Sequence, residues 1–304
     1  MMGNSTGKYN IKAAATMLGI QPGTLRAWER RYQMIAPARN ESGHRLYTEE
    51  HLKTLRWLIS KVNQGFTISQ AVSLLENTSP LIESAEPQKR DKLDEIRDQI
   101  LTALIEFNSS KAHELINQAF SIFTIDKTVI DLLGPILIKV GDLWEEGSIT
   151  TAHEHFASSF LRSRIEGLSS SFPHSSFLPK AIAVCGPGER HELGLLIYTM
   201  YLRRKGFEVI FLGTSVAEND LETVLDKVKP RFLFLSCTLE ENRKATLELA
   251  GIIKKNYPDL HIGLGGIAID SMPKELRKEH QECIVGIARA EWEKWLKKRI
   301  DSLK

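Results

Sequence analysis

The stretch GPGERHELG, residues 186–194, lies between two apolar runs at residues 181–185 and 195–202. An apolar run, a glycine-containing turn and a second apolar run predict a strand, a turn and a helix. The dinucleotide-binding fingerprint G-x-G-x-x-G would need a third glycine at position 191, where the chain has His191. The turn therefore predicts a binding site of another kind, with Glu189 and His191 as its polar groups.

From residue 179 onward, short β-rich runs alternate with helical segments. The predicted strands are residues 180–185, 208–212, 232–236, 261–265 and 283–286. Strands that alternate with helices are typical of a doubly wound, Rossmann-like domain with a parallel sheet. Ligands of such domains bind outside the carboxyl ends of the strands.

Three small or polar segments follow predicted strands, and we expect them to meet at one rim of the sheet. Their candidate ligand-binding residues are Glu189, His191, Gly194, Ser236, Thr238, Gly265 and Gly266. Glu189 can accept the second ring N–H of His191, as carboxylates do beside metal-ligating histidines. One histidine is too few for a metal held by protein alone, but it suits a metal already held by a macrocycle. A loop histidine bonded to a neighbouring glutamate is the alternative interpretation.

The composition is that of a globular protein, with 304 residues, 42% of them hydrophobic and 26% charged. This length predicts two or three domains, each with its own core. The apolar stretches are too short to span a bilayer and the N-terminus lacks a signal-peptide pattern, so we expect a cytoplasmic protein that binds no membrane. Cys185, Cys237 and Cys283 have no zinc-binding spacing and are expected to be reduced core thiols.

Positive charge is concentrated at the N-terminus, where residues 1–76 carry a formal charge of +5 against +2 for the whole chain. There YNIKAAATMLGIQPGTLRAWERRY, residues 9–32, predicts two short helices joined by a turn at Gly19. Asn10 is the expected N-cap of the first helix, and Pro22 begins the second. This is a helix-turn-helix pattern, whose second helix lies in the DNA major groove. A pair of surface helices with solvated arginines is the alternative.

The next segment, IAPARNESGHRLYTEEHL at residues 35–52, predicts a two-stranded wing and then a helix capped by Thr48. Two further helices are expected, ending near residues 64 and 76. A basic helix and a basic wing predict contacts to phosphates and guanine edges. The candidate DNA-binding residues are Thr24, Arg26, Arg30, Arg31, Arg39 and Arg45.

The middle of the chain predicts a linker at residues 77–90 and a small four-helix bundle at residues 91–175. Within the bundle, DLWEEGSITTAHEH places Trp144 at one helix end, and Glu154 and His155 at the start of the next. Thr151 and Glu154 also fit a capping box. In that case Glu154 only satisfies the helix N-terminus, and Trp144 is a core aromatic.

The N-terminal motifs AWERRY, P-x-R at residues 37–39 and GHRLYTEEHL resemble the winged helix-turn-helix of MerR-type transcriptional regulators over residues 8–76. The resemblance implies a homodimer on a palindromic promoter operator, in competition with RNA polymerase. It places Arg26 and Arg30 in the recognition helix. It also places Arg45 and Tyr47 at the wing, near the phosphates.

The rim residues match, in order, a motif in three parts, D-x-H-x-x-G, S-x-L and GG. They resemble the cobalamin-binding domain of corrinoid methyltransferases and mutases. In this chain Glu189 replaces the aspartate and keeps the carboxylate, while Thr238 stands where leucine is usual. The resemblance implies that His191 replaces dimethylbenzimidazole as the lower ligand of cobalt. The displaced base then passes between Ser236 and the two glycines.

Trp144, followed by nine residues and then Glu154-His155, resembles the W-x9-EH cap of the CarH/LitR-type photoreceptor regulators. That family has the same order of domains: winged helix (1–76), bundle (91–175) and cobalamin domain (176–304). The resemblance implies a repressor and no enzyme. In the dark, adenosylcobalamin would stabilise dimers paired into a tetramer on the operator, and light would cleave the cobalt–carbon bond and release the DNA.

One position departs from some members of that family. They have a histidine directly after the cap tryptophan, which binds cobalt after illumination, whereas this chain has Glu145. His153, His155, water or hydroxide could take that place, or the photoproduct is less firmly trapped. Two other functions remain open: a regulator controlled without cobalamin, for example by a protein partner, and a corrinoid shuttle in methyl transfer. The N-terminal winged helix argues against the shuttle.

Overall fold

The computed structural model describes residues 7–32, 37–40, 43–63, 66–76 and 92–302. The chain divides into two compact units, residues 1–160 and 161–304, and each is described by itself. The predicted linker, residues 77–90, lies outside the described residues. Among the helices that are described, none combines the length and apolar character needed to cross a membrane.

The N-terminal module begins with strand β1 (Tyr9–Asn10) and helices α1 (Ile11–Leu18) and α2 (Pro22–Tyr32). The predicted N-cap is confirmed, because the Asn10 side chain accepts a hydrogen bond of 2.9 Å from the Ala13 N–H. Gly19 ends α1 with a φ of 65°, a backbone conformation that favours glycine. The residues of the predicted helix-turn-helix therefore form one.

The wing has three strands rather than the two predicted. Strand β2 (Ala38–Arg39) and β1 both pair in antiparallel fashion with the central strand β3 (Arg45–Tyr47). The residues before α1 were too few and too polar to predict a strand, and only their pairing with β3 shows one. Helices α3 (Glu49–Asn63) and α4 (Ile68–Glu76) complete the module, and Thr48 caps α3 through the His51 N–H at 3.1 Å.

The predicted four-helix bundle is confirmed. Its helices are α5 (Lys92–Ile105), α6 (Ser109–Ile122), α7 (Gly134–Glu145) and α8 (Thr151–Ser169). A π-helical segment, Lys127–Leu133, leads directly into α7. The apolar residues predicted at helical spacing are buried between the helices. They include Ile96, Ile100, Leu104, Leu115, Ala119, Leu133 and Val140.

The C-terminal domain is Rossmann-like, as predicted. Its parallel strands are β4 (Ala181–Cys185), β5 (Val209–Gly213), β6 (Phe232–Ser236) and β7 (His261–Gly265), in the order β5-β4-β6-β7. The helices are α9 (Leu193–Arg204), α10 (Glu218–Val228), α11 (Glu240–Asn256), α12 (Ile267–Asp270), α13 (Lys274–Glu279) and α14 (Arg289–Asp301). Every residue of β4 and β6 is buried, as expected for central strands covered on both faces.

The predicted fifth strand, residues 283–286, was wrong. Only one bridge, between Leu264 and Ile284, extends the sheet beyond β7. Gly286 has a φ of 88°, which is outside the range of a β-strand, and the chain turns there toward α14. Apolar composition alone predicted a strand where the backbone pairs at a single residue.

Candidate functional site

The ends of β4, β6 and β7 bring the predicted rim residues side by side. In the registers of these parallel strands, Cys185 is opposite Ser236, and Ser236 is opposite Gly265. The GPGERHELG turn therefore starts next to the loop after Ser236. The sheet topology, and not proximity in the sequence, assembles the three motifs.

Glu189 is the hydrogen-bonding centre of this rim. Its side chain is buried, and Oε1 accepts from the His191 Nδ1 at 2.6 Å and from the backbone N–H groups of Arg190 and His191 at 2.9 Å. Oε2 accepts from the N–H groups of Thr238 and Leu239 at 2.7 and 2.9 Å. One carboxylate thus joins the loop after β4 to the loop after β6.

The pKa of Glu189 reports this arrangement. Burial on its own would raise the pKa, but the N–H groups of Leu239, His191 and Thr238, together with the imidazole, lower it to about 2. The carboxylate is therefore ionised at neutral pH. An ionised carboxylate only accepts hydrogen bonds, so the proton in its contact with His191 lies on Nδ1.

His191 consequently presents its other ring nitrogen as a ligand. In a neutral imidazole that carries its proton on Nδ1, Nε2 has a free lone pair. The His191 side chain is 54% exposed while Glu189 beneath it is inaccessible. The tautomer and the orientation are thus set before any ligand arrives, as the glutamate–histidine prediction required.

Thr238 contributes through its backbone. Its N–H bonds to Glu189, so a threonine in place of the usual leucine leaves this contact intact. Ser236 is buried at the end of β6. The structure therefore places both residues of the predicted S-x-T segment at the rim, one of them in direct contact with the Glu189 carboxylate.

The predicted glycines leave open space or allow close packing. A Cβ atom added to Gly194 or Gly265 would meet no other atom within 4 Å. A Cβ on Gly266 would overlap the backbone carbonyl of Cys237, and its φ is 101°. Gly266 is therefore required by the loop itself, whereas Gly194 and Gly265 border free volume.

In the first unit, Trp144 lies at the end of α7 and is not a core aromatic. Its side chain is 46% exposed, and its Nε1 donates a hydrogen bond of 3.2 Å to the Thr151 hydroxyl. An exposed indole with its polar atom satisfied offers its apolar face to a ligand or partner.

The predicted capping box of Thr151 and Glu154 was wrong. The helix is capped one residue earlier: the Thr150 N–H donates to the His153 Nδ1 at 3.2 Å, and the Glu154 N–H bonds to the Thr150 carbonyl. Glu154 instead accepts from the Ser158 hydroxyl at 2.6 Å. Its second oxygen lies 3.6 Å from the His155 Nε2.

The two histidines at the start of α8 differ in their freedom. His153 is engaged through Nδ1 with Thr150, and its ring lies 4.6 Å from that of Phe107. The His155 side chain is 76% exposed. Sequence reasoning missed Phe107, a non-glycine residue with a φ of 55°, because nothing in its local sequence indicated that it would meet α8.

The predicted DNA-binding residues of α2 divide into two groups. Arg26, Arg30 and Arg31 are exposed, as DNA contacts require. Thr24, by contrast, is only 3% exposed, and its hydroxyl donates to the Phe120 carbonyl in α6. In this structure Thr24 is not on the surface, contrary to the prediction.

The wing residues are also divided. Arg39 is exposed, and its guanidinium donates to the Gly43 carbonyl at 3.3 Å. Arg45 pairs with Glu29 of α2 at 2.7 Å. Tyr47 is fully buried and its hydroxyl donates to the same carboxylate at 3.2 Å, so it joins the wing to α2 and does not reach outward.

A metal site built from protein ligands alone is not found in the described part of the chain: no group of three or more His, Cys, Asp or Glu side chains is placed to hold an ion. His191 and Glu189 form a hydrogen-bonded pair that is not part of a larger cluster of such side chains in the described residues. The three cysteines are free thiols, and burial raises the pKa of Cys185 to about 12.

Comparison with protein families divides the chain into matching segments. Residues 9–78 match the MerR HTH family of regulatory proteins. Residues 96–168 and residues 179–294 match two families described as B12 binding domains. The winged module, the bundle and the rim therefore each fall within a matched segment.

Two curated relatives share most of the chain. It is 29% identical to the HTH-type transcriptional repressor CarH of Myxococcus xanthus, over 86% of this chain and 90% of the relative. It is 27% identical to the repressor CarA of the same organism, over 74% and 75% of the two chains. The solved structure of the Methanosarcina barkeri monomethylamine corrinoid protein is 19% identical, with a TM-score of 0.47 over 61% of this chain and 89% of that one.

The match to CarH spans most of both chains, and the matched segments of this chain follow in the order MerR HTH (9–78), B12 binding (96–168) and B12 binding (179–294). The chain is a transcriptional regulator in which a MerR helix-turn-helix segment precedes B12-binding domains, and it is similar to the repressors CarH and CarA.

Proposed function

We propose that this chain is a light-responsive repressor that uses adenosylcobalamin as its sensor. The observation that carries the proposal is the His191–Glu189 pair. Its 2.6 Å hydrogen bond leaves the Nε2 lone pair of a half-exposed imidazole directed away from the carboxylate. A single, oriented nitrogen ligand suits a metal that already has four equatorial nitrogens.

The residues around His191 fit such a group. Gly194 and Gly265 border open space, so a bulky planar molecule would not meet side chains there. Ser236 and Gly265 are opposite each other in the sheet, where the nucleotide tail of a cobalamin would enter. We assign cobalamin contacts to Glu189, His191, Gly194, Ser236, Thr238, Gly265 and Gly266 on this basis.

When bound, adenosylcobalamin supplies a cobalt–carbon bond that light breaks. His191 would bind the lower face of the metal, and Glu189 would hold the imidazole in the required tautomer. We assign the cover of the upper ligand to Trp144, with Glu154 and His155 as hydrogen-bonding groups. The exposed indole supports this assignment, because nearly half of Trp144 is exposed and its polar atom is already bonded to Thr151.

Switching requires that the upper ligand stabilise one state of the protein more than the other. The exposed residues at the end of α7 and the start of α8 are the part of the first unit that would interact with that ligand. Of the two histidines there, His155 would be freer than His153 to supply a further ligand to the metal. His153 is already bonded to Thr150 and packed against Phe107, whereas His155 is exposed.

We infer that the repressor acts on promoter DNA in the cytoplasm as dimers that pair into a tetramer in the dark. It would compete there with RNA polymerase. Arg26, Arg30 and Arg31 supply the exposed positive charge of the recognition helix, and Arg39 that of the wing. We also assign a phosphate contact to Arg45, which is half-buried and paired with Glu29. The proposed domains remain 1–76, 91–175 and 176–304, with the linker at 77–90.

A second candidate function is control without cobalamin, for example by a protein partner. The exposed indole of Trp144 and the exposed ring of Phe107 would suit such a partner equally well. A corrinoid shuttle for methyl transfer shares the B12-binding domains, but it has no use for the N-terminal MerR module.

Absorption spectroscopy distinguishes these functions. The purified full-length chain is incubated with adenosylcobalamin in the dark, desalted and measured before and after green light. We expect retained corrinoid absorbance that changes on illumination, and a gel shift on the chain's own upstream DNA that is lost in parallel. A colourless desalted protein contradicts the proposed sensor, and a coloured protein with a light-independent gel shift contradicts the switch.

A further inference from the structure

The recognition helix is attached to the bundle through specific hydrogen bonds. The Thr24 hydroxyl of α2 donates to the Phe120 carbonyl, and the Trp28 Nε1 donates to the Ser121 carbonyl at 3.0 Å. Nearby, the Thr124 hydroxyl donates to the Asn63 side-chain oxygen at the end of α3, at 2.9 Å. We call these three contacts, two from α2 and one from the end of α3, the α2–α6 seam.

Helix termini explain why these contacts form. The last four carbonyls of an α-helix have no partner within the helix. α6 ends at Ile122, and the Ala119 carbonyl is satisfied by the Phe123 N–H at 2.8 Å. The next two carbonyls, those of Phe120 and Ser121, receive the side chains of α2. The DNA-reading module therefore caps a helix of the bundle.

The seam is a buried joint. Thr24 is 3% exposed and Trp28 1% exposed, and Thr124 is 3% exposed on the bundle side. Polar atoms buried without their partners destabilise a protein. The seam is consequently sensitive to small displacements between α2 and α6, which break these hydrogen bonds before the apolar contacts.

The seam lies on the side of α2 that faces away from Arg26 and Arg30. Two positions along an α-helix differ by about 200° in direction. Thr24 and Trp28 are each two positions before an exposed arginine, Arg26 and Arg30 respectively. The bundle therefore contacts α2 on the face opposite Arg26 and Arg30 and leaves these two arginines uncovered.

We propose that Thr24, Trp28 and Thr124 are positioning residues for DNA binding, through which the bundle fixes the orientation of the recognition helix. Thr24 acts here through α6 and does not read DNA. A bundle that changes its state would alter operator affinity through this joint. The proposal concerns the described residues of the first unit and does not depend on which ligand the chain senses.

The decisive variant is Thr124→Val, because it removes the hydrogen bond to Asn63 without changing any residue of the winged module. It also removes the bond of 3.3 Å that the Lys127 N–H donates to the same hydroxyl. The probe is a fluorescent duplex selected from a random library by the full-length chain, kept in the dark with adenosylcobalamin. Affinity is measured by anisotropy with and without that cofactor. We expect a loss of about three- to tenfold in both conditions, the equivalent of one hydrogen bond.

Two α2 variants and one control complete the test. Thr24→Val should lose affinity similarly, and Thr24→Ser, which keeps the hydroxyl, should restore it. Thr102→Val is the matched control, because the Thr102 hydroxyl also donates to a backbone carbonyl, that of Asp98, but on the exposed side of α5. Thermal unfolding of each variant shows that it is folded at the assay temperature. If a variant is unfolded at that temperature, Trp28→Phe replaces it, because it keeps an aromatic ring and removes only the Nε1 donor.

The outcomes separate clearly. Unchanged affinity in Thr124→Val and Thr24→Val overturns the proposal, as does an equal loss in Thr102→Val. A gain in affinity also overturns it, because the seam would then restrain DNA binding. If the cofactor has no effect on any variant but the seam variants still lose affinity, the sensor proposal fails and the positioning role stands.

Discussion

At the rim of the C-terminal sheet the predicted residues lie together, with Glu189 bonded to both His191 and the Thr238 N–H. Along the recognition helix the predicted residues are divided, with Arg26 and Arg30 exposed and Thr24 buried against α6. The two regions were predicted by similar reasoning from polar residues at motif spacing. Only at the rim does one side chain bond to polar groups of two predicted segments.

The difference follows from topology. In a parallel sheet every strand ends at the same edge, so residues placed just after strands are forced together. A helix surface has several faces, and polar residues on each face meet whatever packs there. Thr24 is two positions from Arg26, yet it lies on the opposite face and meets the bundle. Spacing along a helix predicts a face, but it does not predict the partner.

The largest expected effect tests the rim. His191→Ala should abolish retention of adenosylcobalamin after desalting, because it removes the imidazole that Glu189 holds in position. Absorbance of the desalted protein is the measurement. His174→Ala, an exposed loop histidine in the same compact unit, is the control. Equal retention by His191→Ala and wild type would contradict the axial-ligand role, and DNA affinity without cofactor should be unchanged.

The next effect tests whether one carboxylate joins the loops of the rim. Glu189→Gln replaces an acceptor of five hydrogen bonds with an amide whose NH2 group faces other donors. We expect cobalamin affinity to fall by about 10- to 100-fold. Spectroscopic titration measures the affinity, with Glu240→Gln as an exposed control in the same domain. A Gln variant with wild-type affinity would show that the two loops keep their positions without the Glu189 carboxylate.

Stability should show the same contact through its pH dependence. The pKa of Glu189 is lowered from 4.5 to about 2, so its contribution is fully present above pH 4.5 and is lost as the pH falls through about 2. The difference in unfolding free energy between wild type and Glu189→Gln should therefore shrink over this range. Chemical denaturation at a series of pH values measures it, and a difference that stays constant would mean that the charge is not what stabilises the rim.

An effect of intermediate size tests the other region. Arg26→Ala or Arg30→Ala should weaken operator binding by about 1–3 kcal/mol if the arginine contacts a base. Both side chains are exposed on the face opposite the seam. Fluorescence anisotropy on the selected duplex measures the loss. Lys244→Ala, at an exposed position of α11, is the control. Unchanged binding by both variants would show that this face of α2 does not contact the DNA.

The smallest effect contrasts Glu189, which is buried, with Asp270, a partly buried carboxylate of the same domain. Burial raises the pKa of Asp270 to about 6 despite Arg277 at 3.7 Å, and its Oδ2 has no hydrogen-bond partner among the described residues. Because the pKa of Asp270 is raised, its protonated form contributes stability that is fully present below pH 3.8 and is lost as the pH rises through about 6. Asp270→Asn should therefore stabilise the protein at pH 8 by about 1 kcal/mol, and less at pH 4. Thermal unfolding at both pH values checks this, and destabilisation at pH 8 would show that the Arg277 pair outweighs burial.

Much of the fold could be predicted because its signals are local. Asn10 before an apolar helical pattern predicted the cap that is observed, and the apolar runs ending at Cys185 and Ser236 predicted β4 and β6 within a residue. The errors arose where a distant partner decides. Tyr9 and Asn10 form a strand only because β3 lies beside them, and residues 283–286 lack enough pairing to form one.

The sites divide in the same way. Residue type and order indicated the His191–Glu189 pair, since two residues that close in the chain can bond within one loop. The sequence contained no signal that Glu189 would also hold Thr238 and Leu239, which are about fifty positions away. Nor did it show that His153, rather than Glu154, takes part in the cap of α8.

By itself, the sequence determined the order of the domains, the basic recognition helix and the imidazole with its carboxylate, because short-range periodicity and neighbouring side chains specify them. The tertiary structure alone decided which polar groups became joints between elements: Tyr47 with Glu29, Thr24 with α6, and Glu189 with the loop after β6. The physical reason is that a buried donor or acceptor must find a partner, and the nearest partner in space is set by packing.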